Sequence, residues 1–124
     1  MQTTIHHHDQ VFRDQSTLIR LLDHLINAIN DIGDIPSSAA LEDNRIRFNS
    51  VAMEMAQVQE CARKLSDSFR STMPNLPWNE LRALRNVIVH DYDEIDVESL
   101  YDTVTKDAPH LVAQLQPLVD AIED

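Results

Sequence analysis

Phe48, Val51, Met55, Val58, Ala62, Leu65 and Phe69 follow one another at alternating steps of three and four, with no helix breaker between them. A strand would need apolar residues at every second position, whereas this spacing puts all of them on one side of an α-helix. With one glycine and five prolines in 124 residues, the chain has few other places to stop a helix. The stripe therefore predicts one long helix over about residues 38 to 71, with Ser37 and Ser38 as candidate N-caps.

The remaining breakers divide the rest of the chain. Leu18, Leu22, Leu25, Ile29 and Ile32 form an earlier stripe that should end around Gly33, and Pro36 blocks its continuation. Pro74 and Pro77 mark a loop. Pro77 suits the first turn of a third helix carrying Leu81, Leu84 and Ile88 and ending near Tyr92. Asp96 has the chemistry of an N-cap for a fourth helix, with Glu98 in its first turn, and Pro109 and Pro117 should restart or kink the chain on its way to the C-terminus. No strand pattern or repeat is visible. The expected fold is all-α: an up-and-down bundle of four to five helices framed by a long antiparallel pair. It should form a single domain over residues 1–124, with residues 1–10 a flexible or added tail. His6 to His8 read as part of that tail rather than as a metal site.

Charge narrows function. Ten Lys and Arg against 21 Asp and Glu give a net charge of −11. General affinity for phosphate comes from basic side chains, so any contact with nucleic acid must be focal. The single cysteine, Cys61, excludes an internal disulfide and has no histidine at metal-ligand spacing. No basic start with an apolar core marks a signal peptide, and no apolar run reaches the roughly 20 residues of a membrane span. A soluble, cytoplasmic protein is expected.

Arg85 to Tyr92, RNVIVHDY, carries the chemistry. On an ideal helix Arg85 lies at the edge of the apolar face, Tyr92 falls within about 20° of it, and His90 lies about 140° away. One regular helix does not aim all three groups at one point. Either the helix end unwinds or a second copy of the chain supplies the convergence. Periodicity alone allows a structural account, with Arg85 covering a core edge, His90 near a helix C-terminus and Tyr92 packed.

The surrounding sequence resembles the HEPN superfamily, and more closely its HepT-like branch. In that pattern an arginine and a polar residue precede a histidine, and a tyrosine stands two residues later; Arg85, Asn86, His90 and Tyr92 match position for position. LPWNELRALRN (76–86) is similar to the branch's lead into the motif, ECARKLS (60–66) to its long helix, and VESLYDTVTKDAPHL (97–111) to its closing helix. The resemblance covers roughly residues 41 to 115. Two departures stand out: Asp91 where glycine is common, and Cys61 where alanine is usual. A carboxylate beside the site would repel RNA or raise the histidine pKa.

The resemblance implies the toxin of a type VII-like toxin–antitoxin module: a metal-independent endoribonuclease, without cofactor, that leaves a 2′,3′-cyclic phosphate. Its cleft would lie between two subunits, with Arg85 and His90 catalytic and Asn86 supporting. Tyr92 would accept AMP from an MNT-type nucleotidyltransferase antitoxin. The partners implied are RNA, a second copy of the chain in a homodimer, and that antitoxin, with which a larger hetero-oligomer could form. The alternative is a non-catalytic HEPN bundle that binds a nucleotidyltransferase. Glu60 reads as a solvated glutamate. Arg63, Lys64 and Arg70 read as ordinary surface charges, with tracking of an RNA backbone as the alternative, and Trp78 as a staple at the start of the third helix, with base stacking as the alternative.

Overall fold

The computed structural model describes residues 2–84 and 95–123, with side chains from residue 9 onward. Its helices are α1 (Gln2–Ile32), α2 (Ser38–Asp43), α3 (Arg45–Lys64), α4 (Asp67–Thr72), α5 (Trp78–Leu84), α6 (Val97–Asp102) and α7 (Ala108–Glu123), with a π turn, Thr103–Asp107, joining the last two. There is no strand among the described residues, and the all-α bundle is as expected.

α1 and α3 form the frame. Asp31 accepts from the Ser50 hydroxyl, His24 Nδ1 lies 2.6 Å from Glu54 Oε2, and Asp14 accepts from Ser66. Partner numbers rise on one helix as they fall on the other, so the two run antiparallel. The seam between them is apolar: Leu18, Leu21, Leu25, Val51, Met55 and Val58 are all fully buried. Each such side chain contributes on the order of 1.5–3 kcal/mol. α7 packs on the same frame through Leu111, Leu115 and Val119.

Two boundaries differ from expectation. α1 begins at Gln2, well before the stripe that starts at Leu18, because its earlier buried positions include Asp14 and Thr17, which carry no hydrophobic signal. The single helix expected over 38 to 71 is three. Asn44 closes α2 by donating its backbone N–H to Ala40 and Leu41, and its side chain then accepts from Arg47 N at 3.2 Å to open α3. At the other end, Ser66 caps α4 by accepting from Phe69 N at 3.3 Å. In a continuous helix the Ser66 N–H would donate four residues back; here it donates to Asp14 Oδ1 at 3.0 Å. The apolar stripe survives the break, with Leu65 and Phe69 both buried.

Other local expectations hold. Ser37 is the N-cap of α2, accepting from Ala40 N, and Asp96 is the N-cap of α6, accepting from Ser99 N at 3.1 Å. Gly33 ends α1 with φ at 53°, the left-handed conformation that a glycine adopts without strain. The π turn precedes Pro109, whose ring would crowd the Thr105 carbonyl in a regular helix. Thr105 reinforces the wider turn by donating its hydroxyl to the Tyr101 carbonyl at 2.7 Å. Pro117 sits inside α7, which continues past it to Glu123. The expected end of the third helix near Tyr92, and the packing of Ile88, lie outside the described residues.

Candidate functional site

α5 is the lead into the motif, and three contacts hold it. Trp78 at its start donates from Nε1 to the Met73 carbonyl at 2.9 Å and sets its ring edge-on to Phe69, with centroids 6.2 Å apart. This is the staple role expected of it. Leu81 and Leu84 are buried on the core side, and Arg82 is exposed. At the far end, the Gln59 side chain donates from Nε2 to the Leu84 carbonyl at 3.1 Å. Gln59 is only 2% exposed, and a buried amide is costly unless bonded, so this contact fixes the backbone where the motif begins. Nothing in the sequence flags Gln59: it is a polar residue inside an apolar stripe.

Arg85, Asn86, His90, Asp91 and Tyr92 lie outside the described residues. What the structure supplies is the platform that leads to them. Next to Leu84 a groove of about 600 Å³ opens between α5 and the π turn, lined by Ala83, Thr103, Lys106 and His110 on its two sides.

The flanking residues sort themselves by contact. Glu60 is exposed and pairs with Arg63 at 3.4 Å and Lys64 at 3.9 Å, the solvated role expected of it. Cys61 is buried, and that burial pushes its thiol above the ordinary value; the neighbouring Arg20 guanidinium opposes the shift without cancelling it. A thiol so held is a poor nucleophile. Tyr101 is half-buried, and its hydroxyl donates to the Ile35 carbonyl at 2.6 Å. No helix among the described residues is long and apolar enough to cross a membrane.

Known proteins resemble this chain over most of its length. A protein of Methanocaldococcus jannaschii named "Putative RNase MJ1380" is 28% identical over 96 residues, covering 74% of this chain and 87% of that protein. One of Thermococcus cleftensis named "Probable ribonuclease HepT" is 26% identical over 101 residues, covering 78% of this chain and 91% of that protein. No solved structure gives a significant match. The family described as Ribonuclease HepT-like matches residues 22–118, a span that runs from α1 through the Arg85–Tyr92 motif into α7. The chain therefore belongs to the HepT-like family of the HEPN superfamily.

Proposed function

We propose that this protein is a metal-independent endoribonuclease, the toxin of a toxin–antitoxin pair, with Arg85 and His90 as its catalytic residues. The observation that carries the reading is that the family match spans residues 22–118, and Arg85, Asn86, His90 and Tyr92 stand in the sequence of that span. The names of the relatives, ribonucleases in both cases, support it.

The chemistry fits these side chains. An RNA 2′-hydroxyl attacks the adjacent phosphorus as His90 takes its proton; the 2′-O–P bond forms and the P–O5′ bond breaks. Return of a proton to the 5′-oxygen releases the downstream strand and leaves a 2′,3′-cyclic phosphate. Imidazole titrates near neutral pH and suits both transfers. Arg85 presents a permanently charged planar fork to the phosphate oxygens, and Asn86 orients the imidazole. The ideal-helix angle between Arg85 and His90 favours a cleft shared by two copies, hence a homodimer, working in the cytoplasm. Tyr92 is the control point: a partner nucleotidyltransferase transfers AMP from ATP to its hydroxyl, releasing pyrophosphate. The added phosphodiester and nucleoside then compete with RNA by charge and volume.

The test is cleavage of RNA by the purified protein in excess EDTA, beside His90→Ala and Arg85→Ala. Cleavage by wild type alone, with a cyclic phosphate at the new 3′ end, is expected. Cleavage that disappears with the chelator overturns the metal-free mechanism.

A further inference from the structure

The basic side chains of this acidic protein are not scattered evenly. Arg47, Arg63, Lys64 and Lys106 pair with carboxylates. Arg13, Arg20, Arg45, Arg70 and Arg82 have no ion pair among the described residues. All of these arginines except Arg45 line two adjoining depressions. The first is a groove of about 520 Å³ along α1, lined by Phe12, Arg13, Arg20 and Lys64. The second is a narrow cleft between α4 and α5, lined by Ser66, Arg70, Trp78 and Arg82. They meet at the α3–α4 junction, where Asp14 of the groove bonds Ser66 of the cleft.

Two carboxylates line this path, Asp14 in the groove and the exposed Asp67 in the cleft, against four arginines and Lys64. Asp14 is 1% exposed and engaged by Ser66 and Gln10. Glu60 reaches Lys64, and Asp67 stands at the first turn of α4. At the outer end Phe12 leaves 69% of its surface in solvent. At the inner end Arg82 stands three residues before Arg85.

We propose that this track, from Phe12 through Arg13, Arg20, Arg70 and Arg82, binds single-stranded RNA. The proposal rests on the ribonuclease reading above and adds to it a surface that holds the substrate. Spaced cations follow a phosphate backbone, and an exposed aromatic face at one end receives an unstacked base; together these are the requirements for holding a single strand without reading its sequence. Focal binding of this kind also reconciles a net charge of −11 with a polyanionic substrate.

The experiment measures binding apart from chemistry. A fluorescent single-stranded oligoribonucleotide with 2′-O-methyl groups, which lacks the attacking hydroxyl, is titrated with full-length protein at several salt concentrations. Arg13→Ala, Arg70→Ala and Arg82→Ala should each weaken binding several-fold and reduce the slope of log affinity against log salt by roughly 0.7, the effect of one lost phosphate contact on a single strand. Phe12→Ala should weaken binding by about fivefold or more with the slope unchanged. Arg47→Ala, at the opposite end of α3 and paired with Asp34, should change neither. These side chains are exposed, and thermal melting confirms that each variant folds. Wild type that cleaves RNA while the track variants keep its affinity and slope overturns the track and leaves the ribonuclease reading standing. So does an equal loss in Arg47→Ala, which signals general charge alone. Unchanged RNA affinity with lost association to a protein partner reassigns the groove to docking. Wild type that neither binds nor cleaves RNA overturns both readings.

Discussion

Gln59 and Leu84 are 25 residues apart in sequence, yet the Gln59 side-chain amide donates to the Leu84 carbonyl at 3.1 Å in the interior. The bond ties the middle of the longest buried stripe to the last turn before Arg85. Gln59→Leu keeps the volume and removes the donor, which should destabilise the fold by about 1–3 kcal/mol. RNA cleavage should fall further than the lost stability explains, because the backbone bearing Arg85 loses its tether. Denaturant melts and cleavage rates on the same variant check this; full activity would show that Gln59 is purely a core residue.

Asp14 holds the α3–α4 junction from across the bundle, accepting from Ser66 N at 3.0 Å and from Ser66 Oγ at 2.5 Å. Asp14→Ala leaves the Ser66 N–H without that partner and should cost about 2 kcal/mol or more. Amide hydrogen exchange should rise over α4 before it rises over α3. Exchange raised evenly across the chain would mean that Asp14 stabilises the bundle as a whole instead of this junction.

Tyr101 and Tyr92 should behave oppositely toward a nucleotidyltransferase. The Tyr101 hydroxyl is committed to Ile35 at 2.6 Å on a half-buried ring, so it is a poor acceptor. Coexpression with the partner enzyme should add AMP to the peptide containing Tyr92 and leave the Tyr101 peptide at its unmodified mass. Tyr101→Phe should keep modification and cost about 1 kcal/mol of stability. Peptide mass spectra decide between the two tyrosines.

Asp96 gives the fold an acid-sensitive cap. Its carboxyl lies below the ordinary value because the Ser99 N–H and hydroxyl donate to the charged form. A depressed carboxylate contributes stability above its unfolded pKa, and that contribution is lost as pH falls through the folded one. Asp96→Ala should therefore melt below wild type at neutral pH, and the gap should narrow as the pH falls below the ordinary carboxylate range and through the depressed folded value. A gap that persists in acid would assign the cap's value to the neutral side chain.

The sequence by itself determined that this chain is helical, that Ser37, Gly33 and Asp96 stand at helix ends, and which apolar stripes face the core. Those properties depend on spacing: Val51, Met55 and Val58 are buried because a 3.6-residue period brings them to one side. It also presented the Arg85 to Tyr92 set in order along the chain, legible as a pattern before any fold was known. Of the two breaks in the expected long helix, the one at Asn44 is local, whereas tertiary contact marks the one at Ser66, whose N–H donates to Asp14, 52 residues away. Tertiary structure likewise selected Gln59 as a tether and brought Arg13 and Arg20 of α1 and Arg70 and Arg82 of α4 and α5 to two depressions whose walls meet at the Asp14–Ser66 bond. Apolar periodicity is a local property of the chain, whereas hydrogen-bond partners and charge neighbours are chosen only when distant segments pack. A polar side chain on a buried face therefore acquires its role in three dimensions.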